Sequence, residues 1–145
     1  MALNKLYLTI DTLALNIGTP QHFTLQLGNY SFENYTKIAL KHVHIQHDTD
    51  AYKLFYFNVS IAKPLYIHCS LLNKEENLIN GEKSDVISIL YPESKLQKFM
   101  STKPASNSPK LMKYGNKIEM SLTNCDRVPI ENKGKFSIIY EFEFS

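Results

Sequence analysis

The segment FSIIYEFEF, from Phe136 to Phe144, has the clearest structural pattern in this sequence. Apolar side chains stand at every second position of this segment, and polar ones such as Ser137 and Glu141 stand between most of them. A period of two sends alternate side chains to opposite faces of a strand, so that one set faces a core and the other faces water. The segment therefore predicts a long β-strand with an aromatic face packed on a core.

The same alternation recurs in several earlier segments. It predicts strands over residues 6–10, 23–27, 55–61, 65–71 and 118–122. Between residues 35 and 45 the alternation changes phase. The apolar residues Ile38 and Leu40 stand at even-numbered positions, whereas Val43 and Ile45 stand at odd-numbered positions. One extra residue near Lys41, a β-bulge, would explain this change. Further candidate strands are the apolar segments at 86–91, 96–100 and 111–114.

Turn signals separate these segments, and no amphipathic helical pattern competes with them. Gly28-Asn29, Asn80-Gly81 and Gly115-Asn116 each supply residues that tolerate positive φ. The polar stretch 101–110 contains two prolines and is expected to be a loop, because proline is excluded from the interior of a sheet. Since no linker or internal repeat divides the chain, we expect residues 1–145 to form one domain.

The number of predicted strands selects among the all-β folds. Eight or nine short strands separated by turns indicate a β-sandwich or a barrel. A jelly roll places eight strands in two packed sheets, which suits this number. A true immunoglobulin domain has a Cys…Trp…Cys pattern, and this chain contains no Trp. We therefore expect an all-β fold, a single jelly-roll β-sandwich of about eight antiparallel strands in two sheets.

The composition, 43% apolar and 21% charged, is that of a globular chain. Lys5 and Asp11 interrupt the apolar residues near the N-terminus, so neither a signal peptide nor a membrane span fits there. Cys69 and Cys125 lack metal or redox spacing and are interpreted as free thiols of a reducing compartment. We expect a protein made in the cytoplasm or nucleus, neither secreted nor inserted in a membrane. A net charge of +2 leaves nucleic-acid binding open.

One histidine pair is a candidate metal site. His42 and His44 share a face of the predicted strand, and metal enzymes of the cupin type use such a pair. The glycine that those enzymes place six residues before the first histidine is Thr36 here, and the expected downstream glutamate is missing. Exposed imidazoles on a polar face are the alternative interpretation, and we expect no bound metal or cofactor.

Nucleophilic catalysis has no signature in this sequence. The chain lacks a G-x-S-x-G elbow, a P-loop and a dinucleotide fingerprint. Cys69 and His68 do not form a dyad, because neighbouring residues of a strand point to opposite faces, and Cys69 is expected to be a small core residue. We therefore expect a protein that is not an enzyme.

Charge is distributed unevenly along the chain. Residues 94–118 contain no acid and six lysines, namely Lys95, Lys98, Lys103, Lys110, Lys113 and Lys117. Residues 73–85 carry four acids, among them Glu75, Glu76 and Glu82, against two lysines. These residues are candidates for contacts with a neighbouring subunit or with a polyanion. Solvated loops with no partner are the alternative interpretation.

Three ordered blocks carry a resemblance to a known family. They are FTLQLGNYSFENYTKIALKHVHI at residues 23–45, LYIHCSLLNKEENLINGEKSDVISILYP at residues 65–92, and the strand, polar turn and final strand at residues 114–144. Together they resemble the single jelly-roll minor capsid, or penton, proteins of Polinton/Maverick elements, adintoviruses and virophage-like viruses.

The resemblance implies a structural role in a virion. Penton proteins form a homopentamer that plugs each vertex of an icosahedral capsid and contacts the double-jelly-roll major capsid protein. Two other functions stay open at this point. One is a non-catalytic β-sandwich module that binds carbohydrate or protein, and the other is a cupin-like metal enzyme.

Overall fold

The structure is a computed structural model, and it describes residues 4–15, 18–28, 34–47, 64–90, 99–102, 108–113, 115–129 and 136–145. The strands in these ranges are β1 (Leu6–Asp11), β2 (His22–Gln26), β3 (Lys37–His47), β4 (Leu65–Cys69), β5 (Leu78–Ile79), β6 (Glu82–Lys83), β7 (Val86–Leu90), β8 (Phe99–Thr102), β9 (Lys110–Leu111), β10 (Lys117–Asn124) and β11 (Phe136–Phe144). Short 3-10 helices cover Thr12–Ala14 and Lys74–Glu76. Among the described residues, no helix has the length and apolar character needed to cross a membrane.

Two antiparallel sheets form the body of the molecule. One has the order β1-β11-β3-β8, with β9 also paired to β3, and the other has the order β2-β10-β4-β7. The long strands of the first half of the chain pair with those of the second half in reverse order, β1 with β11, β2 with β10, β3 with β8 and β4 with β7. The chain is thus a long antiparallel ribbon that is rolled up so that its strands alternate between two sheets.

This strand order confirms the predicted jelly roll. Among the eight long strands, each connection passes from one sheet to the other except the connection from β4 to β7, which stays within one sheet. Residues 70–85 make that connection and therefore lie at the tip of the rolled ribbon. We call residues 70–85 the tip loop.

The predicted bulge in β3 is confirmed. Glu141 of β11 lies opposite His42, whereas the next residue, Phe142, lies opposite Leu40. Lys41 is therefore the extra residue, and its insertion turns both Leu40 and Val43 toward the interior.

The inward faces of the two sheets form one apolar core. Alternate residues of β11 are buried in it, as the aromatic pattern predicted, and Tyr140 packs against Phe23 of the opposite sheet with ring centroids 6.2 Å apart. Phe142 and Phe144 stack on the same face with centroids 6.4 Å apart. Aromatic side chains bury large areas and favour tilted or offset contacts, so this row links the sheets.

Some predicted elements differ from the structure. The strand predicted at 111–114 is the two-residue β9, which begins one residue earlier, and the strand predicted from 96 is described only as β8 from Phe99. The loop predicted over 101–110 is too long, because its ends belong to β8 and β9. The pair β5 and β6 was not predicted, although its Asn80-Gly81 turn was. The strand predicted at 55–61 lies outside the described residues.

Candidate functional site

The histidine pair lies on the outer face of the first sheet. His42 and His44 are half-buried there, whereas the residues that follow them, Val43 and Ile45, face the core. Glu141 lies directly opposite His42 on β11. No group of three or more His, Cys, Asp or Glu side chains suited to a metal ion occurs within the described ranges. The pair therefore has the common face that was predicted but no third ligand among these residues.

Three of the six candidate lysines, Lys95, Lys98 and Lys103, lie outside the described residues. Lys113 and Lys117 are exposed. Lys110 is half-buried, and its Nζ donates a hydrogen bond of 3.1 Å to Asn77 Oδ1 of the tip loop. Lys110 thus already has a partner within its own chain.

The candidate acids belong to the tip loop, and two of the three are paired within the chain. Glu75 forms an ion pair with Lys83, and Glu82 accepts from Arg127 Nη1 at 3.1 Å. Glu76 is exposed. Ion pairs at the surface contribute little stability, typically about 0.2–1 kcal/mol, but these two connect the hairpin β5–β6 to the preceding 3-10 helix and to the turn after β10.

A buried asparagine organises the tip loop. Asn77 is 8% exposed, and its Nδ2 donates to the carbonyl oxygens of Ser84 and Val86, both at 2.9 Å. Its Oδ1 accepts the bond from Lys110. The side chain thus uses both amide hydrogens and an oxygen lone pair to close the base of the β5–β6 hairpin, which leaves no buried polar atom of Asn77 unsatisfied.

A second polar cluster fastens the tip loop to the sheet beneath it. His68 of β4 is hydrogen-bonded through Nδ1 to Asp85 Oδ1 at 2.6 Å and through Nε2 to Thr123 Oγ1 of β10 at 2.8 Å. The hydrogen bond from His68 is the main reason that the pKa of the half-exposed Asp85 lies below its usual range. The carboxylate is therefore the preferred form of Asp85 in the folded protein.

The order carboxylate, imidazole, hydroxyl resembles a catalytic relay, but its geometry does not activate a nucleophile. The Thr123 hydroxyl carries one hydrogen, and two neighbours can accept it, His68 Nε2 at 2.8 Å and the Asn124 carbonyl oxygen at 2.9 Å. Thr123 is only 7% exposed, so its hydroxyl is closed off from a substrate. Activation of a hydroxyl requires that it give its proton to the imidazole and reach a substrate. The cluster instead holds three segments of chain together.

The turn after β10 is built by a third hydrogen-bond network, which is centred on an asparagine. Asn124 Oδ1 accepts from the backbone N–H groups of Asp126, at 2.8 Å, and Val128, at 3.0 Å. Arg127 takes a φ of +62°, an uncommon value for a residue with a side chain. This conformation accompanies the contact between its guanidinium and Glu82 on the tip loop.

Sequence reasoning did not find these clusters. It placed His68 correctly on the face opposite Cys69, but it assigned no partner to His68, Asp85 or Thr123. The expectation for Cys69 is confirmed, since this residue is fully buried in the core as a free thiol and burial raises its pKa to about 12. Cys125 is free and exposed.

The chain matches no protein-family model, and no curated protein matches it significantly.

Proposed function

We propose that this protein is a structural, non-enzymatic minor capsid protein, a penton that occupies the vertices of an icosahedral particle. The observation that carries the proposal is the strand order, β1-β11-β3-β8 against β2-β10-β4-β7. Viral capsid domains are one of the main groups of proteins that use the jelly roll. The order also fits the resemblance of three sequence blocks to penton proteins.

The rigidity of the tip loop supports a role in assembly. Asn77 and the cluster of His68, Asp85 and Thr123 hold this loop in one conformation against the sheet. A preorganised surface loses less conformational entropy on association than a mobile one. In a ring with cyclic symmetry each copy uses the same two surfaces, so a loop held in one conformation repeats the same contact around the ring.

Exposed charges that have no ion pair among the described residues are suited to the contacts between copies. Three of them are Glu76 on the tip loop and Lys113 and Lys117 near the start of β10. Complementary charges across an interface steer association and set specificity, and salt weakens them over a Debye length of about 8 Å at physiological ionic strength. The proposed partners are further copies of this chain and a double-jelly-roll major capsid protein, within a virion.

Native mass spectrometry of the purified protein tests the proposal directly. A homopentamer of a 16.7 kDa chain has a mass of about 84 kDa, and we expect this species alone or after mixing with a double-jelly-roll major capsid protein. Negative-stain images of the same sample are expected to show five-fold rings. A protein that stays monomeric both alone and with that partner, at low and at high salt, contradicts the proposal.

A matched pair of variants tests the contribution of the exposed charges. Lys113→Glu combined with Lys117→Glu is expected to weaken the ring, whereas Lys41→Glu, at an exposed residue of β3 outside the tip loop, is the control for a reversed surface charge. Rings that form equally well from both variants would show that these lysines take no part in the contact.

A further inference from the structure

We propose that a pocket between the tip loop and the turn after β10 binds a neutral sugar of about one ring. The pocket has a volume of about 270 Å³. Its polar and aromatic lining comes from Tyr66, Asn80, Glu82, Cys125, Asp126 and Arg127. The inference does not depend on the proposed capsid role, because it concerns a site within one copy of the chain.

Two turns with positive φ supply part of the lining of this pocket. Asn80, with φ +53°, and Arg127, with φ +62°, are the two residues other than glycine that have positive φ in the described part of the chain, and both line it. Asn80 belongs to the Asn-Gly turn of the β5–β6 hairpin, in which positive φ is the usual conformation. Here the hydrogen bonds of Asn124 hold the turn that carries Arg127.

The charges of the pocket favour a neutral ligand. Glu82 accepts from Arg127 Nη1 at 3.1 Å, and Asp126 adds one further carboxylate to the lining. A phosphate or a carboxylate would meet two acids, and an ammonium or guanidinium group would meet Arg127. A ligand with many hydroxyl groups can form hydrogen bonds with side chains of either charge, because each hydroxyl can donate to a carboxylate or accept from the guanidinium.

The shapes of the polar groups also suit a sugar. Asn80, Asp126 and Arg127 carry planar groups that present two hydrogen-bonding atoms side by side, an arrangement that can engage two neighbouring hydroxyls at once. Tyr66 is 8% exposed and adds an aromatic edge with an apolar surface. The volume lies just under the range of about 300–1,000 Å³ found for drug-sized ligands, which indicates a single sugar ring.

Titration of the ¹⁵N-labelled full chain with monosaccharides, followed by amide chemical shifts, tests this inference. The panel contains glucose, galactose, mannose, fucose, N-acetylglucosamine and N-acetylgalactosamine, with free arginine and inorganic phosphate as charged probes. We expect saturable shifts at Asn80, Glu82 and Arg127 with at least one sugar and a Kd in the millimolar range, as is usual for a ligand with few atoms. No saturation by either charged probe is expected.

Three variants identify the contacts. Arg127→Gly removes the guanidinium and is compatible with positive φ, so it is expected to fold and to weaken sugar binding by about tenfold or more. Asp126→Asn keeps a planar hydrogen-bonding group and is expected to change the Kd by less than about fivefold, whereas a cationic ligand would lose much more. Glu76→Gln, at an exposed residue of the tip loop outside the pocket lining, is the control and is expected to leave the Kd unchanged.

Several results would overturn the inference. They are the absence of saturable shifts with every sugar, saturation by arginine or phosphate instead of a sugar, and sugar binding that survives Arg127→Gly or is lost in Glu76→Gln. None of them bears on whether the chain forms pentamers, so the two proposals fail separately.

Discussion

Replacement of Asn77 by alanine should destabilise the protein by about 2–4 kcal/mol. Two hydrogen bonds to backbone carbonyls, each 2.9 Å long, would be lost, at about 1 kcal/mol each. The carbonyl of Val86 belongs to a residue that is only 1% exposed, so an unsatisfied acceptor there adds about 1 kcal/mol or more. Loss of the bond from Lys110 adds less, since that half-buried ammonium regains water.

Equilibrium unfolding in urea, followed by far-UV circular dichroism, measures this change. The midpoint should fall while the slope m stays the same, because the surface exposed on unfolding is hardly altered. Asn73→Ala is the matched control in the same loop. Its side chain accepts one bond of 3.2 Å from the exposed backbone N–H of Glu75, and its loss should cost about 0.5 kcal/mol. Equal losses of stability in the two variants would refute the assignment of Asn77 as the organising residue of the tip loop.

Three further substitutions test other parts of the structure by the same unfolding measurement. The hydroxyl of Tyr140 is buried without a hydrogen-bond partner among the described residues, so Tyr140→Phe should stabilise the protein by about 1 kcal/mol, and a clear loss of stability would reveal a partner. Gly81 has a φ of +81° and open space where a Cβ would lie, so Gly81→Ala should cost about 1 kcal/mol through backbone conformation alone, and a neutral result would contradict this turn geometry. Because the pKa of Asp85 is lowered in the folded state, its carboxylate stabilises the fold above the unfolded pKa of about 3.9 and loses that effect as pH falls through the folded pKa. The stability advantage of the wild type over Asp85→Asn should therefore shrink from about pH 6 to about pH 2, and a constant difference would exclude this linkage.

Much of the fold was predictable from local pattern. The bounds of β11 agree with the alternating segment Phe136–Phe144, and the bulge at Lys41 follows from a change of phase inside one strand. Both features depend on the period of two, which each strand carries in its own residues. The two-residue strands β5 and β9 were missed or misplaced because so short a segment has no period to detect.

The candidate site was far less predictable. His68 meets Asp85 across 17 residues and Thr123 across 55 residues, and no spacing rule joins such positions. The acids of the tip loop were candidates for contacts with another molecule, and the sequence did not show that Glu75 and Glu82 have partners within the chain that folding brings to them. Only the turn signal at Asn80-Gly81 pointed to a hairpin at this place.

Local pattern was enough to predict that this protein is built of strands, which residues of each strand face a core, and that Cys69 belongs to that core. These properties follow from side-chain alternation and hydrophobicity, which act within a few residues. The three-dimensional arrangement was needed to learn which strands are neighbours, that Asn77 and Thr123 are buried, and that Asn80 and Arg127 line one pocket. Those outcomes depend on contacts between segments that are distant in sequence. Each such contact costs the conformational entropy of closing a long loop, and burial and hydrogen bonding throughout the fold must offset that cost.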